Sequence, residues 1–247
     1  MRKYAWRPDV PDIRDHTFRI DAPLTVARPS SINLSTAMSP VEDQGQLGSC
    51  TGNAVAGALE YLENKNQVKK FFDVSRLWLY YQARVLENTV KEDAGAMLRD
   101  VVKAAASVGY CTESKWPYDV TKFAKKPGFF ATLDASKHKI VEYTRCLTLD
   151  DCLTSLAAGY PVAFGFSVYE SFESREVATS GIANLPNQNE RLLGGHAVLM
   201  VGYDDATQRV LVRNSWGPDW GQKGYFTMPY EYLTNRNLSD DFWSIRK

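Results

Sequence analysis

The stretch QGQLGSCTGNA, residues 44–54, sets a glutamine, two glycines and a serine ahead of Cys50, at the start of what reads as a helix. Cys50 would lie where unpaired backbone N–H groups and the helix dipole favour an anion. A thiolate placed there has a lowered pKa, and the thiolate is the reactive form of cysteine. Gly48 and Ser49 permit a tight turn and the close approach of a substrate. Gln44 stands six residues before Cys50. A loop of that length can fold back, so that the Gln44 amide and the Cys50 backbone N–H form an oxyanion hole.

A thiol nucleophile also needs a base. The chain has three histidines. His16 lies in a proline- and charge-rich arm and His138 stands among lysines, where both read as solvated. His196, in GGHAVLMVGY, opens a strongly apolar strand behind two glycines, and is the choice. Asn214, in VRNSWGPDWG, lies 18 residues on, on the next predicted strand. Adjacent strands would let Asn214 hold one tautomer of the imidazole. Trp216 and Trp220 would roof the polar pair and keep water off it.

The elements that must position these groups follow from periodicity. One apolar stripe (Ala54, Val55, Ala58, Leu59, Leu62) predicts a helix from Cys50 to about Asn64, with Glu60 and Glu63 facing out. A second helix starts from Ser75 or Asp73 and carries RLWLYYQARVL. AMLRDVVKAAASVG gives a third, stopped by Gly109, and LDDCLTSLAAG a fourth, ended by Gly159. From about residue 138 the character changes. KIVEYTRCL, YPVAFGFSVY, HAVLMVGYDD, QRVLVRNSW and GYFTMPY are β-branched or aromatic runs and read as strands. The result is an α+β pattern with helices and strands segregated into two lobes.

The bulk numbers narrow the function classes. The 247 residues are 44% hydrophobic and 23% charged, and 29 basic residues balance 29 acidic ones, so nothing points to nucleic acid or an anionic membrane. No apolar run is long enough to span a bilayer. Arg2 and Lys3 are not followed by an apolar segment, so no secretory signal is read. The expected location is cytoplasmic, or reached by a route without a cleavable signal. Four cysteines (Cys50, Cys111, Cys146, Cys152) are too sparse for a disulfide scaffold and lack zinc spacing, although Cys146 and Cys152 could pair.

With QGQLGSCT, GGHAVLMVGY and NSWGPDWGQKGYF in this order, the chain resembles the papain (C1) family of cysteine peptidases, in its compact prokaryotic form. The 146 residues from Cys50 to His196 suit that family. The resemblance runs from about Pro29 to the end. It implies a papain-like two-lobed fold: a helical lobe over about 29–137, a β-barrel-like lobe over about 138–247, and the active site in the cleft between them. Residues 1–28 form an arm in place of a long propeptide, either a clasp or a limit on access. By carry-over, Cys50 is the nucleophile, Gln44 the oxyanion residue, His196 the base and Asn214 its orienting partner. The low thiol pKa of such a pair is known from papain itself, so that expectation is borrowed from the family. The resemblance also assigns Gly95, in EDAGAML, to backbone pairing with substrate. Met97 and Ala197 become walls of the main specificity pocket, which would favour an apolar or aromatic side chain. Leu47 and Thr51 depart from the pattern, where a disulfide cysteine and a tryptophan are usual.

The expected activity is peptide-bond hydrolysis through a Cys-His-Asn acyl-enzyme, by a monomer acting on peptide or protein substrates, with no metal or organic cofactor required. The alternatives are a thiol acyltransferase or deamidase acting on proteins, and a catalytically silent peptide-binding homologue.

Overall fold

A computed structural model of the chain describes residues 3–18, 27–65 and 71–246. Residues 1–2 and 19–26 of the expected arm lie outside the described residues. The elements run β1 (Ser31–Asn33), α1 (Cys50–Lys65), α2 (Arg76–Leu86), α3 (Leu98–Ser107), α4 (Phe129–Ala135), β2 (Glu142–Arg145), α5 (Leu149–Ala157), β3 (Val162–Tyr169), α6 (Arg175–Ser180), β4 (Leu192–Asp204), β5 (Arg209–Arg213), β6 (Tyr225–Pro229), α7 (Tyr230–Thr234) and β7 (Ser239–Arg246).

The strands pair antiparallel in the order β2-β7-β3-β4-β5-β6, with β1 added to β4. The path is open, so the expected barrel-like lobe is a sheet rather than a closed barrel. Alternation along β3 and β4 divides the interior into two cores. Ala163, Ala197, Leu199 and Val201 face the helices α1–α3. Val162, Phe164, Phe166, Val198 and Met200 face the other way, into a second core with α5 and α7.

Helix α1 sits between this sheet and α2 and α3. It therefore has no solvent face, and the outward-facing Glu60 and Glu63 expected from the sequence are instead buried, at 2% and 4% exposure. Their charges are answered locally. Glu60 accepts from the Ser39 hydroxyl and from the Val74 N–H at 3.0 Å. Burial pushes its carboxyl up to about 7. Glu63 accepts from the Tyr110 hydroxyl at 2.8 Å, with His138 Nδ1 3.7 Å away. His138 is accordingly half-buried, packed on Phe72 and Tyr110 rather than solvated.

Local signals fix the helix ends. The Ser75 hydroxyl accepts from the Trp78 N–H at the start of α2. Thr148 and Asp151 form a reciprocal capping box on α5. Gly109 follows α3 at φ +87°, where a Cβ would lie 2.0 Å from the Ala135 carbonyl oxygen. All four cysteines are buried and free, so Cys146 and Cys152 are not joined.

Candidate active site

Three chain segments converge at the head of α1. The loop before it is held from both sides: Gln44 N–H donates to Ser215 O at 2.9 Å, and the Gly48 N–H donates to the Asp93 carboxylate at 3.0 Å. Asp93 also accepts from the Tyr80 hydroxyl at 2.5 Å, which ties this loop to α2. Cys50 opens the helix, and the Asn53 amide returns to the Ser49 carbonyl at 3.0 Å. The Gln44 amide donates to Leu47 O at 3.0 Å and accepts from the Ser215 hydroxyl at 2.6 Å. An amide NH₂ carries a second hydrogen, so Gln44 retains a donor for an oxyanion.

His196 lies on β4, opposite Phe166 of β3. Its Nε2 is 2.8 Å from Asn214 Oδ1. The same oxygen accepts the Ser215 backbone N–H at 2.9 Å. A backbone N–H can meet only an oxygen, which fixes the orientation of the Asn214 amide. Nε2 must then carry the proton, and in the neutral ring Nδ1 is the basic nitrogen. Trp216 stacks on the imidazole with centroids 4.9 Å apart at 22°, and Phe166 packs edge-on from beneath. Trp220 meets Trp216 edge-to-face at 4.9 Å and backs it from the second core. Ala197, next to His196, directs its backbone N–H at the Cys50 sulfur. Gln44, Cys50, His196, Asn214, Ala197, Trp216 and Trp220 are therefore brought together.

The arm fills the groove these residues line. Lys3 pairs with Asp93 at 2.7 Å. Tyr4 packs edge-on against both His196 and Trp216 at 6.2 Å. The Ala5 N–H points at the Cys50 sulfur. Its carbonyl accepts from Ala96 N–H at 3.3 Å. Trp6 bridges to Ala96, and its N–H donates to Gly195 O at 2.9 Å. Gly95, at φ +75°, is where a side chain could not fit: its Cβ would lie 1.8 Å from the Ala5 carbonyl oxygen. Gly95 thus stands against a backbone in the groove, while Met97 is one residue beyond the bridge and caps α3.

Further along, the arm is anchored by ions. Asp9 accepts from the Trp243 indole at 2.8 Å and from Arg99 N–H at 3.1 Å. Asp15 pairs with Arg99, and Arg145 reaches Asp240 at 2.9 Å and Asp241 at 2.7 Å.

With the arm in place, Cys50 has no exposed surface. Burial pushes its thiol up to about 11, against the pull of the surrounding N–H groups of Ala197, Ala5, Thr51 and Cys50 itself. The lowered pKa expected from the helix start is not what the covered cleft produces, because loss of water outweighs those dipoles.

The arm lies outside the region matched by the family described as "Papain family cysteine protease", which covers residues 28–241. The chain belongs to the papain family of cysteine proteases. It is similar in structure to xylellain, a cysteine protease from Xylella fastidiosa, at a TM-score of 0.91 and 40% identity, over 99% of this chain and 96% of that one. That shared span takes in the arm. An uncharacterized peptidase C1-like protein of Acanthamoeba polyphaga mimivirus is 43% identical over 225 residues, 87% of this chain and 72% of its own. The relatives are thus bacterial and viral as well as eukaryotic: Cysteine proteinase 3 of Entamoeba histolytica is 26% identical, and the chain spans 63% of it. A digestive procathepsin L of Tenebrio molitor shares the fold at a TM-score of 0.74 and 21% identity.

Several residues around the groove escaped the sequence reading. Asp93 sits in the quoted EDAGAML, but its role as a tie depends on Gly48, 45 residues away, and on Tyr80 of α2, 13 residues away. Tyr4, Ala5 and Trp6 show no periodicity. Asp241, in SDDFWS, lies in β7, a strand not expected at all. Among the described residues no helix is long and apolar enough to cross a membrane, and no cluster of side chains could hold a metal ion.

Proposed function

We propose that this cysteine protease cleaves peptide bonds through Cys50, His196, Asn214 and Gln44. The observation that carries the reading is the 2.8 Å hydrogen bond between His196 Nε2 and Asn214 Oδ1, which leaves Nδ1 as the basic nitrogen, in a strand whose next residue, Ala197, turns its N–H toward the Cys50 sulfur. The Cys50 proton passes to His196, and the sulfur adds to the scissile carbonyl. The second Gln44 amide hydrogen and the Cys50 backbone N–H receive the negative oxygen. The intermediate collapses, the C–N bond breaks, and the leaving amine takes the proton from His196. Water then gives a proton to His196 as it attacks the thioester, and the acid leaves with Cys50 again a thiolate. The relatives named above carry peptidase or protease names, and no observation favours the acyl-transfer or peptide-binding alternatives.

We further propose that the described part of the arm, from Lys3 to Asp15, holds this site closed. Where a scissile carbonyl would have to meet the sulfur, the arm presents the Ala5 N–H, and the Ala5 carbonyl is turned to Ala96. The arm therefore covers the nucleophile without offering it a bond to cut. The test uses the full chain. Cys50→Ala should abolish turnover of a fluorogenic peptide library, and an epoxide thiol reagent should label Cys50 ahead of Cys111, Cys146 and Cys152. Uniform labelling rules out an activated thiol. Trp6→Gly should raise both turnover and Cys50 labelling, and unchanged rates rule out the arm as a barrier.

A further inference from the structure

The groove contains a deep slot beside the nucleophile, and the arm's Trp6 shows its shape. The indole lies flat over two glycines. A Cβ at Gly165 would fall 1.9 Å from Trp6 Cε2, and one at Gly195 would fall 2.6 Å from Cε3. Only a position without a side chain leaves the thickness of an aromatic ring there. The slot floor is polar. Strand β7 bulges against β3, where Ala163 pairs with Trp243 but Gly165 pairs with Asp240. The bulge puts Asp241 at φ +59° and turns its side chain inward, fully buried. Asp241 Oδ2 accepts the Trp6 indole N–H at 3.1 Å and the Asp9 backbone N–H at 2.8 Å. Its other oxygen is engaged by Arg145 at 2.7 Å.

We propose that Asp241 is a specificity-determining residue for the peptidase reaction, and that this slot takes a flat side chain ending in an N–H donor, tryptophan above all. The inference rests on the peptidase reading given above. Trp6 directly follows the arm residue lying on Cys50, and it pairs with Ala96 beside Gly95, so a substrate side chain one position from the reacting residue would enter the same slot. A buried carboxylate oxygen without a donor is costly, so Asp241 discriminates against phenylalanine and leucine, which supply none. Arginine would bring a donor but also a second cation beside Arg145, which already answers the carboxylate. The arm and a substrate then compete for one oxygen: releasing Trp6 and Asp9 from Asp241 is the same event as opening the slot.

The test uses the full chain carrying Trp6→Ala, which vacates the slot. Fluorogenic peptides carry tryptophan, benzothienylalanine (the same shape with sulfur for the N–H), phenylalanine, leucine or arginine at the slot position. Tryptophan should exceed benzothienylalanine in kcat/KM by about tenfold or more. Adding Asp241→Gly, which suits the positive φ, should bring that ratio close to one. Because the readout is a ratio, any general loss of activity cancels. Equal rates for the matched pair with Asp241 in place, or a preference for arginine or leucine, overturn the proposal. Binding of the same two peptides to the Cys50→Ala, Trp6→Ala chain separates the two readings. A preference in binding without any cleavage in the parent chain sinks only the peptidase reading, and cleavage without preference sinks only the role of Asp241.

Discussion

Two buried polar clusters lie on either side of Trp6, and they are built differently. The cluster around His196 is made of neutral groups: the Gln44 and Asn214 amides, the Ser215 hydroxyl and backbone N–H groups, under a cover of aromatic rings. The cluster that anchors the arm is ionic, with Asp9, Asp15, Asp240 and Asp241 around Arg99 and Arg145. Neutral hydrogen bonds keep their geometry as pH and salt change, whereas buried ions depend on every partner being present. The division teaches that the reacting groups are fixed, while the cover over them is conditional.

The largest expected effect tests the neutral side. Cys50→Ala should lower turnover by about 10³-fold or more, and the arm should stay docked because none of its ionic contacts is touched. Loss of docking, seen as a shift in tryptophan fluorescence, would merge the two clusters into one. Next, Arg145→Ala removes the cation shared by four carboxylates (Asp9, Asp15, Asp240 and Asp241), a change of a few kcal/mol. Cys50 labelling should rise by about tenfold or more, and Asn214→Ala should instead slow turnover without changing the docking of the arm. Equal effects on docking from both variants would erase the distinction.

The third prediction concerns pH. In the docked arm the Asp241 carboxyl is pushed up to about 7, by burial first and then by Asp9, against Arg145 and with Asp240 adding to the rise. Asp9 is also raised, again by burial, despite the Trp243 indole, Arg99 and Arg145. Release of the arm returns these groups to water, where carboxyls ionise near about 4. The docked form thus keeps protons that the released form has lost, and docking weakens as pH rises from about 4 to about 7. Cys50 labelling, divided by the rate for a free model thiol at each pH, should climb over that window. A flat corrected profile would mean the carboxyls do not govern the arm. The smallest effect concerns salt: breaking the exposed Lys3–Asp93 pair with 0.5 M salt, roughly, should change labelling by less than about threefold.

How much of this was legible depends on whether the signal was local. Cys50, Gln44, His196 and Asn214 were readable because each sits in a compact motif with its own chemistry. Helices α1, α2, α3 and α5 and the five strands β2–β6 announced themselves through periodicity and through Ser75, Gly109 and Gly159. Strand β7 did not, since two adjacent aspartates interrupt its apolar pattern, and only the bulge at Asp241 and its partner Arg145 account for them. Helices α4, α6 and α7 are too short to show a stripe. Glu60 and Glu63 were misplaced because a helical stripe cannot report that the opposite face is also covered. The arm's path was illegible for a related reason: Tyr4, Ala5 and Trp6 make sense only against Gly95, Gly165 and Gly195, which lie between 89 and 191 positions away.

One seam carries a mechanical consequence. Asp43 pairs with Trp216 as an isolated bridge, and Gln44 N–H donates to Ser215 O next to it. The segment bearing Gln44 is thereby stitched to the one bearing Asn214, backbone to backbone. Spreading the walls apart would have to rip those stitches. A ligand should therefore gain entry by peeling back the peptide ribbon laid along the open rim, while the far margin stays shut like the spine of a book.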